Sequence, residues 1–535
     1  MRVPLLYKAG ILRDGTTFQD EYCVDGQWIR FVGGKIKKMK GQRALINSPD
    51  HNIKYLNVLF ANNNTYLFYA TSNSILRLNL NLTTNTLNNE LNLLTNNVNI
   101  NLTTVTSVTF VMDQIPYIAF LRTLNATDML STLPGILYYK KLNDDSNLTN
   151  ADINTNLISG GILFSSPCLY LYGNNGTILR SRTNDPLIFE GGDSAIYTIS
   201  SDKLIFGASV RGGSNAPSFL FWTANSVIYL TNVADGKDVS IPVDFQKEVV
   251  TNNSSLMSSR SIVQYDSLFF WLGTDRIFVY NGIVDSIPNT INLEYFFDNV
   301  DLSKRQLIFG YKIARYGEVR WAYPEIQYKN NPNIGCTREL VYNVRENSWY
   351  DTVIQRDCVT VYEGTGDIFS FGDSCTNYPY NFDNRYLAIW KQEVGVAEVR
   401  GGEHEIDVTT TPIPSFFTTP FYGFVTFNPA KNGNAIEKYI VLDQIEPDFP
   451  VSPPYERTED DTLIITINYQ KYAGTSITRT APITFNLANL PDEGELNLGK
   501  IDFRVQGRFM NITFSCSYPY AVGTVLLNFK EGDAQ

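Results

Sequence analysis

Residues 271–282 read WLGTDRIFVYNG, inside the longer run RSIVQYDSLFFWLGTDRIFVYNGIVDSIPNTI (260–291). An aromatic, apolar segment is broken by Gly273-Thr274-Asp275-Arg276 and again by Asn281-Gly282. Polar residues set among aromatics make either an active site or the turn chemistry of paired strands. Gly and Asn supply the backbone conformations that tight turns need, and Asp accepts hydrogen bonds from nearby backbone. The surrounding chain decides between the two, because the same strand–turn–strand pattern keeps returning.

It appears as YLNVLFA, NNN, TYLFYA, TSNS, ILRLNLNL from residue 55, and as SVTFVM, DQ, IPYIAFL from residue 107. It returns in CLYLYG, NNG, TILRSR and in SFLFWTA, NS, VIYLTNV, and later in GEVRWAYPE, ELVYNVRENSWYDT and DIFSFGD. Strand groups therefore recur at intervals of roughly 40 to 50 residues, the spacing of β-propeller blades. No strict consensus repeat accompanies the spacing, so a large sandwich is the competing architecture. Aromatics make up 13% of the chain, with 32 Tyr and 32 Phe, a composition that favours strands.

The expected fold is all-β: a β-propeller with an appended antiparallel β-sandwich. Residues 1–50 are expected to form an N-terminal arm or hairpin turned at Gly33-Gly34, with an early strand closing the propeller ring. The propeller spans 51–384 and residues 385–535 form the sandwich-like domain, where TLIITINYQKYAG and KIDFRVQGRFMNITFSCS alternate as strands should. Near 80–105, L-R-L-N-L-N-L and V-N-I-N-L-T each alternate apolar residues with Asn or Thr. That pattern predicts a long hairpin insertion with an Asn-rich tip.

Composition excludes several functions. The 535 residues carry a formal net charge of -11, so a broad basic face for gripping nucleic acid is not expected. The opening MRVPLLYKAGILRDG lacks the apolar core of a signal peptide, and no run has the length of a membrane-spanning helix. The six cysteines show no metal-like spacing. Cys358 and Cys375 offer a pair in an oxidising compartment, but buried free thiols are the expected state.

Histidine occurs only at His51 and His404, which leaves almost no material for Ser-His-Asp or Cys-His catalysis. On a strand, Glu403, Glu405 and Asp407 share one face and His404 takes the other, a poor metal set. Asp193, Asp266, Asp275 and Asp285 all sit in turn-like contexts, so no carboxylate pair for glycoside hydrolysis stands out. Arg211 to Ser214, RGGS, lacks the ending and helix of a phosphate loop. The basic run KIKKMKGQR (35–43) reads either as a solvated edge strand protected by lysines or as a contact for phosphates or an acidic neighbour. No catalytic, cofactor-binding or metal residue is assigned, and no cofactor is expected.

GILRDGTTFQDEYCVDGQWIRFVGGKIKKMKGQRAL (10–45) resembles the opening of a family of tail proteins from short-tailed bacteriophages, with its Arg-Asp-Gly-Thr, its Trp-hydrophobic-Arg-Phe strand and its basic Gly turn. SRTNDPLIFEGGD (181–193), the run 258–298, RQLIFGYKIARYGEVRWAYP (305–324), ELVYNVRENSWYDT (339–352), DQIEPDF and KIDFRVQGRFM extend the resemblance. It implies a structural virion protein without enzymatic activity, the tail nozzle or hub. Such a protein is expected to form a ring, six copies in that family, below the portal and adaptor. The ring would continue the channel through which double-stranded DNA passes without specific binding, and would anchor tail fibres or spikes. Assembly would take place in the host bacterial cytoplasm. The alternative is a receptor- or glycan-binding tail protein and, further off, a polysaccharide depolymerase. The Asn-rich hairpin is not part of the family pattern.

Overall fold

The computed structural model describes residues 2–532 except 6, 17–20, 48–52, 54, 62–63, 72–73, 82–85, 96–104, 124–128, 143, 152, 154–155, 184, 211–217, 233–244, 332–333, 362–378, 384–387, 396, 401–408, 424–438, 450–461, 473–474 and 488–499. Six four-stranded antiparallel sheets follow one another along the chain, over 55–95, 106–151, 158–198, 206–251, 263–286 and 309–356. In each, the strands lie side by side in chain order. A seventh, six-stranded sheet takes Cys358–Val361, Pro379–Asp383 and Ala388–Gln392 from late in the chain, then Gln42–Asn47 from its beginning, and continues through Ala397–Arg400, parallel to it, to Thr409–Pro412.

Hydrophobic cores between consecutive sheets turn this series into a closed ring. Phe68 and Ile75 of the first sheet share a core with Ile118 and Phe120 of the second. Leu121 packs with Leu169 and Leu171 between the second and third, and Tyr172 with Phe221 between the third and fourth. Trp222 meets Phe269 and Trp271, and Leu272 meets Val319 and Trp321. Tyr311 and Ile313 pack with Val359 and Val361, and finally Leu45, Cys358 and Ile389 pack with Leu56, Val58 and Leu67. Each sheet therefore touches the next, and the seventh touches the first. The molecule carries a seven-bladed β-propeller.

This arrangement explains why the middle strands read as unbroken apolar runs. A blade has a neighbour on both faces, so both side-chain sets of a strand need burial. Ser218–Trp222 is buried at every position, with Phe219 and Phe221 facing one core and Leu220 and Trp222 the next. Trp271 belongs to the same layer, edge-on to Trp222 at 5.8 Å and stacked on Phe278 at 5.4 Å.

Two further sheets form a β-sandwich whose core holds Ile440, Ile445, Val505 and Leu527 of one sheet against Phe417, Ile465, Ile512 and Phe514 of the other. The N-terminal residues, expected as one arm, are divided between the two bodies. Arg2–Leu5 pairs with Val525–Glu531, Asp25–Gln27 with Ser415–Thr418, and Lys35–Lys38 with Ala521–Val522, while Gln42–Asn47 enters the seventh blade. Ala388–Gln392, Ala397–Arg400 and Thr409–Pro412 likewise belong to the seventh sheet, past the boundary expected at 384. Strand pattern gives direction and facing but not the partner, so these assignments were open in the sequence.

The hairpin of the first blade pairs Ser74–Asn81 with Thr86–Thr95. The partner of the L-R-L-N-L-N-L segment is thus the nearer TLNNELNLLT stretch, and V-N-I-N-L-T lies outside the described residues. Among the described residues no helix is long and apolar enough to cross a membrane.

Trp271→Ala removes the side chain that links the fourth and fifth blades. It is expected to destabilise the propeller by about 3–5 kcal/mol, read as a lowered denaturant midpoint. An unchanged midpoint would rule out the shared core as a main source of stability.

Candidate functional site

The sequence-singled turns are turns in the structure. Gly273 lies where a Cβ would come within 2.5 Å of the Phe278 ring and 2.7 Å of Ser255 Oγ. Ser255, on the connection from the fourth blade, accepts from Thr274 N (2.8 Å) and, through its carbonyl, from Trp271 Nε1 (3.1 Å). Gly-Thr-Asp-Arg therefore latches one blade to the next, with Asp275 paired to exposed Arg276 at 2.7 Å. Asn281-Gly282 sits in a three-residue loop with Gly282 at φ 109°.

Asp266 turns the hairpin between Val263–Tyr265 and Leu268–Leu272, at the opposite end of the blade from Asp275. Asp285 is exposed on the outermost strand. Asp193 accepts from Thr183 N at 3.1 Å and staples the 181–193 loop, whose Arg182 donates to the Glu190 carbonyl at 2.9 Å. These four carboxylates are not brought together. His51, His404, Glu403, Glu405, Asp407 and the 211–214 loop lie outside the described residues.

The basic run contradicts its reading as a solvated edge. Lys35–Lys38 is the middle strand of a three-stranded sheet, between Ile29–Val32 and Ala521–Val522. Lys38 is buried, and desolvation pushes its ammonium down to about 8. The two-residue Gly33-Gly34 turn has φ 59° and 71°. Cys23, Cys168, Cys336, Cys358 and Cys516 are buried; Cys375 is outside the described residues.

The most perturbed charges lie where sequence reading named none. The strand Ile29–Val32 of the β-domain sends Arg30 against the sixth blade, where its Nε is 3.1 Å from Glu318 Oε1. The same guanidinium holds Glu393 in a fork, at 3.0 and 2.5 Å, and lies 3.6 Å from the Tyr316 ring centroid. Arg320 donates to Glu318 at 2.6 Å and to Glu339 at 3.1 Å, and Arg356 donates to Glu339 at 2.7 Å. Tyr350 Oη donates to Glu318 at 2.7 Å and Tyr311 Oη to Glu339 at 2.6 Å. Three arginines thus face three glutamates, and Glu318 and Glu339 are fully enclosed at 0% exposure.

A second array extends it. Arg13 reaches Asp351 at 2.9 Å and Asp25 at 2.7 Å, and Arg338 reaches Glu325 at 3.0 Å and also pairs with Asp351. Next to Arg13, the Asp14 carboxylate accepts from the N-terminal amides of the helix Leu293–Asn299, Glu294 N at 2.9 Å and Tyr295 N at 2.7 Å. Two non-glycine residues at the joint adopt left-handed backbone, Trp28 (φ 57°) and Glu393 (φ 59°). Such backbone is held only where surrounding contacts over-determine it. Trp28 N donates to Thr352 Oγ1 at 3.0 Å, and Glu393 has its fork to Arg30.

Arg30, Glu318, Arg320 and Glu339 at the centre of the cluster are enclosed. What the arrangement does chemically is join: it ties residues 13–30, the sixth blade and the segment after the seventh into one hydrogen-bonded unit. The sequence did carry a signal for it. EVRWAY places Glu318 and Arg320 two apart in a buried strand, and CTRELVYN sets Arg338 and Glu339 side by side in a largely buried one, a pattern that demands buried partners. Which partners those are cannot be read from the strands themselves.

The charges are tuned by burial against pairing. Arg30 and Arg320 hold the Glu318 carboxyl below its usual range despite its burial. Burial dominates at Glu339 and pushes its carboxyl up to about 7.

No family model matches the chain, and no curated protein matches it. Solved structures similar to it include BBS1N in complex with ARL6DN, at 10% identity over 67% of this chain and 99% of that chain, TM-score 0.38. An ancestral GH74 enzyme matches at 10% identity over 71% of this chain and 51% of that chain, TM-score 0.37. The WD40 domain of Toxoplasma gondii coronin matches at 7% identity over 69% of this chain and 87% of that chain, TM-score 0.34. The ring assigned above rests on the strand ladders and shared cores themselves.

Two outcomes follow from the joint. Arg30→Ala and Glu393→Ala each strand a buried partner and are expected to destabilise by about 3–5 kcal/mol; the double variant is expected to lose less than the sum of the two. Additive losses in a denaturation series would show that the pair is not coupled. For pH, Glu339 is raised from its ordinary 4.5 to about 7, so the folded state binds more protons than the unfolded state between those values. Its contribution is present below 4.5 and is lost as pH rises through 7. Glu339→Gln is expected to flatten that part of the stability–pH profile; an unaltered slope would disprove the assignment.

Proposed function

We propose that this chain is a structural protein of a virion tail, the nozzle or hub of a short-tailed bacteriophage. In this reading it forms a ring, six copies in the family it resembles, below the portal and adaptor. It continues the channel for double-stranded DNA, anchors fibres or spikes, and performs no chemistry.

One observation carries the proposal. The stretches that resemble the tail family lie far apart in the chain, yet they supply the joint. Arg-Asp at 13–14 and Arg30 of Trp-Ile-Arg-Phe come from the opening, Glu318 and Arg320 from the 305–324 stretch, and Glu339 and Asp351 from 339–352. A subunit that holds a pressurised channel has to keep its two bodies at one fixed angle. A propeller closed by its own N-terminal strand, locked to a β-sandwich by buried ion pairs, is suited to that load. The net charge of -11 supports the same reading, since an acidic wall repels DNA and keeps it from sticking during passage.

The test is stoichiometry and position. Mass measurement of the purified chain mixed with the adaptor is expected to give a sixfold ring, and imaging of tagged particles is expected to place it at the tail. A trimer, or a monomer that degrades polysaccharide, would overturn the proposal.

A further inference from the structure

At one end of the β-sandwich, where the two sheets meet, lies a cleft of about 460 Å³. Tyr439 at the start of Ile440–Pro447 and Gln506 in Ile501–Gly507 come from one sheet, and Tyr469 and Thr478 from the paired strands of the other. Gly507 allows this approach, since a Cβ there would stand 3.2 Å from both the Gln470 carbonyl and the Tyr469 Cβ. Tyr439, Tyr469 and Tyr472 line it together with Thr475, Ser476 and Thr478; Tyr439 is buried and Tyr472 presents the exposed ring.

The cleft is held in shape by its own contacts. The Arg508 guanidinium lies 4.5 Å from the centroid of the Tyr472 ring and 5.2 Å from that of Tyr439, which bridges the two aromatics. Thr475 Oγ1 donates to the Tyr472 carbonyl at 2.6 Å, and Gln470 Nε2 donates to the Thr475 carbonyl at 3.0 Å. Tyr472 still keeps 45% of its surface exposed. Lys471 stands exposed beside it and makes no ion pair among the described residues.

We propose that this cleft binds an acidic saccharide, a short oligosaccharide bearing carboxylates. The exposed ring of Tyr472 takes the polarised C–H face of a pyranose, while the lining hydroxyl and amide groups exchange hydrogen bonds with sugar hydroxyls. Lys471, the cation that lines the cleft, with Arg508 behind the tyrosines, then selects a carboxylated sugar over a neutral one, against the acidic charge of the whole chain. The volume suits a few sugar units rather than an extended peptide strand. Attachment to a carbohydrate surface is a separate activity from ring formation, and the inference does not rest on the tail reading.

The test uses the full chain with a galacturonate tetramer as probe and maltotetraose as the neutral comparison. Saturation-transfer NMR is expected to show contact with the acidic tetramer, weakened by about 0.5 M salt through screening. Tyr472→Ala is expected to lower affinity by about tenfold, the scale of losing one aromatic anchor, whereas Tyr472→Phe retains binding and Lys471→Ala weakens it. Both positions are exposed, so an unchanged melting temperature checks that the variants fold. Absence of any signal from the acidic tetramer, or equal binding by wild type, Tyr472→Ala and Lys471→Ala, would overturn the site. Tighter binding of maltotetraose would overturn the acidic ligand class.

Discussion

A charge removed from water has to find its counter-charge in the right geometry, or the fold does not hold it. Arg30 meets that requirement at the junction of the two bodies. Its strand belongs to the β-domain, its first partner Glu318 to the sixth blade, and its second partner Glu393 to the segment that leaves the seventh. A hydrophobic contact tolerates sliding, because burial is nearly the same at neighbouring positions. A forked guanidinium bond does not, since a shift of an ångström breaks two bonds and strands both charges. This array, beside the apolar contact of Phe31 with Tyr350 and Val341, holds sandwich against propeller.

The ring depends on a different constraint that acts at the same place. A closed circle of sheets leaves each blade buried on both faces, and the final blade has to be completed from elsewhere in the chain. Gln42–Asn47 does this, and it follows directly on the strands that enter the β-domain. Closing the ring and docking the second body are thus parts of one event in the chain, only a few residues apart. This geometry accounts for the buried Lys38 in a run that reads as surface. The strand is flanked on both sides because it lies where the two bodies are tied together.

Much of the architecture was legible from strand grammar. The 271–282 stretch reads as strand, turn, strand, and it folds so, because Gly273 and Gly282 meet local requirements that hold whatever surrounds them. The aromatic runs announced blades with two covered faces. The buried charge array went unread: Glu318 and Arg320 in one strand, and Arg338 and Glu339 in the next, hint at buried pairing, but their partners stand on distant segments. The tyrosine cleft gave no signal, since Tyr439, Tyr469 and Gln506 stand on separate strands with ordinary alternation.

By itself the sequence determined what depends on neighbours along the chain: strand character, turn positions, the repeating period and the acidic balance. The tertiary structure decided everything that depends on distant partners. It set which strand closes the ring, how residues 1–50 divide between two bodies, which glutamate receives Arg30, and where three tyrosines converge. The reason is physical. A strand exposes the same hydrogen-bonding edge and the same alternating faces to any partner, so its choice among partners comes from the global fit of cores and charges.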